Sequence, residues 1–270
     1  DICIWNEVVN TPKRIALMKG EAGCSTTPSA TFTPTDSVSL PHSRGELVAG
    51  YRFDGNTADL GPHNLVGVLG GANHYATDRF GLANRALQLH TNTISSYVKI
   101  PKLGKWLTGS TAFTFSCWVK LNQNNTFGTF FTIHTFRTQD EIGIHVDSAF
   151  RRIRLQVANL NMATASYVYP NPTHWNHLLV RVSSDESVIE VFINRLKVYS
   201  NPIRHTTQRI LFGEYIPDDG TWIGQDQDAL GGNFVAAESL GGIVDDLCMY
   251  TKFLDEDEID GNYRSTGCGT

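Results

Sequence analysis

Residues 113–120 read Phe-Thr-Phe-Ser-Cys-Trp-Val-Lys, a stretch in which apolar side chains alternate with small or polar ones. Alternation with a period of two is typical of a β-strand that lays one face against a core. Similar strand signals recur about every 8–15 residues, with almost no helical period, which indicates an all-β chain. They are found at residues 47–53, 86–89, 96–100, 129–133, 142–146, 152–157, 175–182, 188–193, 196–199, 221–224 and 241–250. We therefore predict a two-sheet antiparallel β-sandwich, a jelly roll.

Two short helices are predicted near the chain ends. The first candidate spans residues 12–19 and carries Pro12 in its first turn, where proline is tolerated. The second spans residues 255–263, and its Asp255 stands three residues before Glu258, the spacing of a capping box.

Composition limits the classes of partner. Hydrophobic residues make up 41% of the 270, which is enough for a substantial core, and the net charge is −5. Without a basic surplus, the chain is not expected to bind nucleic acid or anionic lipid. No apolar run approaches the roughly 18–20 residues that cross a bilayer, so we predict no membrane insertion.

The two ends of the chain repeat each other. Residues 1–6 read Asp-Ile-Cys-Ile-Trp-Asn and residues 246–251 read Asp-Leu-Cys-Met-Tyr-Thr. Each segment then ends in Gly-Cys, at residues 23–24 and 267–268. We interpret residues 1–24 as the tail of a preceding copy of the domain. The alternative is a strap that packs back on the same sandwich.

Residues 25–45 separate this tail from the predicted sandwich. Thr, Ser and Pro dominate the segment, a composition that cannot bury a core and is typical of a linker. It could be an extended O-glycosylated spacer, or it could lie ordered along the sandwich. The predicted organisation is thus a tail at 1–24, a linker at 25–45 and a sandwich at 46–270.

The five cysteines fit two local disulfides and one free thiol. The repeat pairs Cys3 with Cys24 and Cys248 with Cys268, each pair closing a loop of similar length. Cys117 remains, and its place in a strand predicts a small buried apolar residue. Paired cysteines imply an oxidising compartment, so we predict an extracellular protein.

Six motifs occur in the order that is found in a known family. Residues 113–119 are similar to F-T-(I/V)-S-x-W-V, and residues 175–180 are similar to W-x-H-(L/V)-(A/V). The remaining four are Tyr51–Asp59, Arg85–Leu89, Val191–Arg195 and Gly242–Ile259, with arginine at 85 and 195 where the pattern has glycine. Together they cover about residues 47–268 and resemble the laminin-G-like and pentraxin-like group of the concanavalin A-like jelly-roll superfamily.

The resemblance implies a structural Ca²⁺ near an edge of the sandwich. A hard cation takes carboxylate, amide and carbonyl oxygens, which the opening loop offers at Asp54, Asn56 and Asp59. Strict alternation would place Asp245 on the inward face with Leu247, where an unpaired carboxylate is costly. These four residues are the predicted calcium ligands. The alternative is that they cap turns through Asx hydrogen bonds.

Two further groups are candidates for ligand contacts, and each has a structural explanation beside it. An acidic cluster around Trp222 could bind calcium or a ligand, or could be a solvated loop. Three aromatic residues could stack on a sugar, or could be core or rim residues. The acidic cluster is Asp218, Asp219, Asp226 and Asp228, and the aromatic residues are Tyr167, Tyr169 and Trp222.

No catalytic motif is recognisable. Glycanases of this fold carry Glu-x-Asp-x-x-Glu on a strand, whereas Glu258-Ile259-Asp260 lacks the last glutamate and lies on a predicted helix. Serine-hydrolase, P-loop and zinc-protease motifs are absent from the sequence. We therefore predict that the chain is not an enzyme.

The resulting functional prediction is a non-catalytic extracellular adhesion or structural module, as one unit of a tandem repeat protein or assembly. Its expected partners are neighbouring copies, other extracellular proteins and glycans. Asn124 begins a glycosylation sequon, which suits a secreted glycoprotein. The alternatives are a calcium-dependent lectin and, behind it, a glycoside hydrolase.

Overall fold

The structure is a computed structural model that describes residues 47–122, 127–135, 142–147, 152–157, 160–165, 171, 173–185, 187–202 and 216–268. These ranges include most of the predicted sandwich. The predicted tail at 1–24 and the linker at 25–45 lie outside the described residues, so both remain predictions.

Fifteen β-strands are present in the described part of the chain, all of them in antiparallel pairs. In chain order they are β1 Leu47–Tyr51, β2 Val68–Leu69, β3 His74–Ala76, β4 Ala86–Leu89, β5 Val98–Lys99, β6 Ala112–Leu121, β7 Phe127–Ile133, β8 Ile142–Asp147, β9 Arg152–Val157, β10 Leu160–Ala165, β11 Asn176–Ser183, β12 Val188–Ile193, β13 Leu196–Pro202, β14 Thr221–Ile223 and β15 Gly242–Tyr250.

The strands form two sheets. The first sheet has eight strands in the order β13-β12-β11-β6-β15-β4-β3, with β1 paired to the second half of β15. The second sheet has seven strands in the order β10-β9-β8-β7-β14-β5-β2. The predicted antiparallel β-sandwich is confirmed, and the strand at 113–120 that led to it lies near the centre of the first sheet.

The main core lies between the two sheets. Alternate residues of β6, including Phe113, Phe115 and Cys117, point into it and are fully buried. Phe131 of the second sheet stacks on Phe113 at 5.8 Å and on Phe115 at 5.4 Å between ring centroids. Cys117 is a free thiol in this core, as predicted, and burial raises its pKa.

Two α-helices are present among the described residues, α1 at Gly104–Leu107 and α2 at Glu256–Arg264, besides a 3₁₀ turn at Ala236–Glu238. The predicted capping box of α2 is confirmed, because Asp255 accepts from the Glu258 backbone N–H and Glu258 accepts from that of Asp255. No sequence signal predicted α1, which is a single turn. No described helix is long and apolar enough to cross a membrane.

Helix α2 covers the outer face of the first sheet. Ile259 and Leu254 pack there with Leu179 and Phe192 in a second apolar cluster. The predicted disulfide between Cys248 and Cys268 is present and joins β15 to the segment that follows α2. The predicted Cys3–Cys24 pair lies outside the described residues.

A β-bulge in β15 overturns one prediction. The register of β15 against β6 shifts between Asp245 and Cys248, and Asp246 has a positive φ of 42°. Val244 and Leu247 therefore both point into the main core, whereas strict alternation would separate them. The inward placement of Asp245 beside Leu247 is wrong, because the bulge turns Asp245 away from the core that holds Leu247.

Candidate functional site

An open groove of about 460 Å³ lies at one end of the sandwich, where two loops meet. One wall is the loop between β1 and β2, and the other is α1 with the turn before it. The polar and aromatic side chains that line the groove are His63, Asn64, Lys102, Lys105 and Trp106. Pockets that combine an apolar wall with a few polar groups are the usual place for a small ligand.

The first wall is held by buried hydrogen bonds. The buried Tyr51 hydroxyl donates to the Leu65 carbonyl at 2.6 Å. The Asp59 carboxylate accepts backbone N–H groups of Gly50, Gly61 and Leu65 at 2.8–2.9 Å. Burial and the Asp59 charge raise the pKa of Tyr51, which keeps its hydroxyl a donor. Because the loop is fixed from inside, it presents its outer side chains in a defined geometry.

The second wall is anchored by apolar residues. Leu103 and Leu107 are fully buried. A Cβ on Gly104 would lie 2.3 Å from the Ile216 carbonyl oxygen, so only glycine permits this contact. Lys102 adopts a positive φ of 66°, which is uncommon for a residue with a side chain. The remaining side chains of the turn, Lys105 and Trp106, are left on the surface.

The two walls meet in a ring stack. The imidazole of His63 lies parallel to the Trp106 indole, with 3.5 Å between centroids and 10° between planes. Trp106 remains 39% exposed, which is unusual for the largest side chain. The Lys105 ammonium lies 5.0 Å from the centre of the indole, and the exposed Lys102 lines the same groove. Within the described part of the chain, neither lysine forms an ion pair.

The predicted calcium ligands have other partners. Asp59 holds the groove loop as described, and Asp54 pairs with Arg52 at 3.3 Å and lies 4.0 Å from Arg85. Asn56 accepts from the Ala58 backbone N–H, which is an Asx turn. Among the described residues, no group of three or more His, Cys, Asp or Glu side chains is placed to hold a metal. Each of these residues therefore has a protein partner that accounts for its position, and their assignment as calcium ligands remains a prediction.

Asp245 instead belongs to a buried ionic cluster with Asp246 and Arg79. The Arg79 guanidinium lies 3.0 Å from the Asp245 carboxylate, contacts that of Asp246 and donates to the Ser265 carbonyl at 2.8 Å. All three charged side chains are 5–7% exposed. The guanidinium also lies over the Trp118 ring at 4.8 Å. The cluster joins the turn before β4 to the bulge of β15 and to the end of α2.

One guanidinium cannot balance two buried carboxylates. Burial and the neighbouring Asp246 charge raise the pKa of Asp245 to about 7, against the opposing effect of Arg79. Burial also raises the pKa of Asp246, while Arg79 and the Gly267 N–H favour its charged form. At neutral pH the cluster therefore retains a proton for part of the time, mainly on Asp245.

Asp245 should make stability depend on pH. Its folded pKa lies above its unfolded value, so its stabilising contribution is complete below pH 3.8 and is lost as the pH rises through 7. We expect the free energy of unfolding of the wild type, relative to Asp245→Asn, to fall between pH 5 and pH 8. Urea unfolding of both proteins at the two pH values measures this, and a constant difference would contradict it.

Trp222, Asp219 and the acidic run at 256–260 have structural roles. Trp222 is 5% exposed and donates to the Asp219 carbonyl. Its ring packs edge-on against Tyr97 and Phe234, so it is a buried packing residue. Asp219 pairs with Lys99. The run 256–260 lies on α2, as expected for a charged helix face. Asn124, Tyr167 and Tyr169 lie outside the described residues.

His63, Lys102, Lys105 and Trp106 belong to none of the motifs predicted from the sequence. A local signal is present in Pro101-Lys102-Leu103-Gly104-Lys105-Trp106, where a tryptophan directly follows a lysine and lies outside any strand pattern. Such a tryptophan is a candidate surface residue. Its pairing with His63, 43 positions earlier by 106 − 63, required the fold.

Comparison with known proteins agrees with the fold. A laminin-G-like family model, described as the concanavalin A-like lectin/glucanases superfamily, matches residues 91–260. No curated protein is similar enough in sequence to match the chain.

Two solved structures illustrate the likeness. Domain 4 of AbnA, a GH43 extracellular arabinanase from Geobacillus stearothermophilus in complex with arabinotriose, is 21% identical, with a TM-score of 0.57 over 78% of this chain and 95% of that one. The binding domain of botulinum neurotoxin serotype G is 12% identical, with a TM-score of 0.60 over 80% of this chain and 50% of that one. At such identities the likeness concerns the fold alone. Since the family match spans more than half of the chain, this protein belongs to the concanavalin A-like lectin/glucanases superfamily, with a laminin-G-like domain.

Proposed function

We propose that this protein is a non-catalytic extracellular module that binds a carbohydrate with acidic groups in the groove of His63 and Trp106. The observation that carries the proposal is the exposed His63–Trp106 stack between two lysines without ion pairs among the described residues. A tryptophan that stays exposed on a rigid wall loses little entropy when a ligand covers it. Tryptophan is also the residue type most enriched at binding hot spots.

The chemistry of the groove favours a sugar with negative charge. A pyranose ring has an apolar face of C–H groups that packs against the part of the indole left exposed beside His63, and hydroxyl groups that hydrogen-bond to side chains such as Asn64 and His63. Lys102 and Lys105 supply point charges that suit a carboxylate or sulfate. The chain has a net charge of −5, so two lysines beside one tryptophan are a local departure from its overall charge.

Two solved relatives in fold support a binding role. The arabinanase domain was solved with arabinotriose, and the cell entry of botulinum neurotoxin type C, another structural neighbour, depends on ganglioside. The Cys248–Cys268 disulfide supports an oxidising compartment and hence extracellular localisation. The tandem-repeat organisation and docking through residues 1–24 remain predictions that rest on the sequence repeat.

Replacing Trp106 with Ala should weaken carbohydrate binding by about tenfold or more, because the stacking surface is lost. Calorimetric titration of the full chain with polygalacturonate and with sulfated oligosaccharides measures the effect. Phe80→Ala is the matched control, since Phe80 is an aromatic residue with 60% exposure outside the groove. Equal affinity of the wild type and Trp106→Ala for every ligand that binds would contradict the proposal.

The charge requirement has its own test. A double variant with Lys102→Gln and Lys105→Gln should bind the acidic ligand more weakly, and its affinity should depend less on salt concentration. Binding should persist in EDTA, since none of the described residues that line the groove carries a carboxylate. A neutral glucan that binds as tightly as the acidic one would remove the acidic preference but leave carbohydrate binding intact.

A further inference from the structure

Two histidines that are distant in sequence meet at the open edge of the first sheet. His74 begins β3, which is the edge strand, and His90 directly follows β4. Their rings lie 4.9 Å apart between centroids at an angle of 43°. The His74 Nδ1 and His90 Nε2 atoms are 3.2 Å apart. This pair has no part in the groove or in the ionic cluster.

The separation of the two nitrogens suits a shared metal ion. Zinc lies about 2.0–2.1 Å from a histidine nitrogen. Two nitrogens 3.2 Å apart and both bound at that length subtend an angle of about 100° at the metal. This angle lies between the octahedral and tetrahedral values, so one ion can bind both nitrogens once the rings turn from each other towards it.

The backbone around the pair is already fixed. The His90 backbone N–H donates to the Ser96 hydroxyl at 2.7 Å, and that hydroxyl donates to the Asn73 side chain at 2.7 Å. Ser96 is fully buried. Asn73 precedes His74, so one hydrogen-bond chain supports both histidines. Ligands held in place by such contacts lose little conformational entropy on binding a metal.

The ligand types identify the class of metal. Imidazole nitrogens suit zinc, nickel and copper, whereas calcium and magnesium require oxygen ligands. Neither histidine is ion-paired in the described part of the chain, and His74 is exposed, so water can complete the coordination shell. In the free protein one ring nitrogen of the pair donates to the other. Metal binding needs that proton to move to the second nitrogen of its own ring, a tautomer change without net proton release.

We propose that His74 Nδ1 and His90 Nε2 form a surface site for a divalent transition metal of the zinc, nickel and copper class. The bound ion would join β3 to β4 at the open edge of the first sheet. The site is independent of carbohydrate binding, so either proposal can fail without the other.

Zinc titration of the full metal-free chain tests the site, with histidine ring resonances followed by NMR and affinity by calorimetry. We expect one equivalent of Zn²⁺ to shift the resonances of both rings, and Ca²⁺ to shift neither. His74→Ala and His90→Ala should each weaken binding by at least about tenfold, because a single imidazole remains.

His174→Ala is the matched control, since His174 is an exposed histidine outside the pair. Its zinc affinity should equal that of the wild type. Unchanged affinity in His74→Ala would overturn the site, as would zinc shifts confined to other histidines. The metal-free variants should unfold at nearly the same temperature as the wild type. Thermal unfolding therefore checks that weaker zinc binding does not come from a destabilised fold.

Discussion

Replacement of Arg79 by Met is expected to lower the free energy of unfolding by about 3–5 kcal/mol at pH 7.5. Arg79 is the cation that contacts both Asp245 and Asp246, and all three side chains are almost completely buried. Methionine fills part of the volume over Trp118 but removes the guanidinium that contacts both carboxylates. Removing one partner of a buried ion pair costs more than the pair itself contributes, because the remaining charge stays desolvated.

Urea unfolding measures the loss, and its pH dependence identifies the cause. Without Arg79 the carboxylates can become neutral by protonation, so the destabilisation should be smaller at pH 5 than at pH 7.5. Adding Asp245→Asn and Asp246→Asn to the methionine variant should restore part of the stability. A loss that is equal at both pH values and is not restored would point to packing alone.

Arg195→Met provides the matched control. Arg195 also contacts an aspartate, Asp260, and lies 4.8 Å from the centre of the Tyr263 ring, but its side chain is 43% exposed. Exposed ion pairs contribute about 1 kcal/mol or less. Arg195→Met removes one exposed ion pair and one ring contact, whereas Arg79→Met removes contacts with two buried carboxylates and two rings. The difference between the two losses therefore reports the contacts of the buried cluster taken together.

The sheet architecture could be predicted because it follows from local pattern. Alternation at 113–120 or 188–193 is decided by each strand's own residues, and the capping box of α2 needs only Asp255 and Glu258. Helix α1 could not be predicted in this way, since four residues carry no helical period. Its position depends on the contact of Gly104 with Ile216.

The candidate sites were less predictable because their residues meet only through tertiary contacts. Arg79 and Asp245 are 166 positions apart, and neither has a neighbour in sequence that reveals the pairing. Period-two alternation predicts the wrong face of a strand wherever a bulge adds a residue. For this reason it places Asp245 on the core face of β15, whereas the bulge turns its side chain to the outer face. The carboxylates predicted as calcium ligands contact arginines and backbone N–H groups, partners that the sequence does not reveal.

Removal of the Cys248–Cys268 disulfide by replacing both residues with Ser is expected to cost about 3 kcal/mol. The bond closes a loop across a sequence separation of 20 that contains all of α2, and both sulfurs are buried in the apolar cluster of Leu254 and Ile259. Opening the loop gives the unfolded chain more conformations. Urea unfolding measures the loss, and hydrogen exchange should show faster opening of α2 than of β6.

Cys117→Ala is the control for the loss of a buried cysteine that forms no disulfide, because Cys117 is a buried free thiol. Its free energy of unfolding should fall by less than that of the disulfide variant.

The disulfide and Arg79 both hold the segment that follows α2. Cys268 is bonded to β15, and the preceding Gly267 donates to the Asp246 carboxylate that Arg79 contacts. Once either attachment is lost, the segment after α2 can detach, and the other attachment then contributes less. The combined variant should therefore lose less stability than the sum of the two separate losses, whereas strict additivity would show that they stabilise the fold independently.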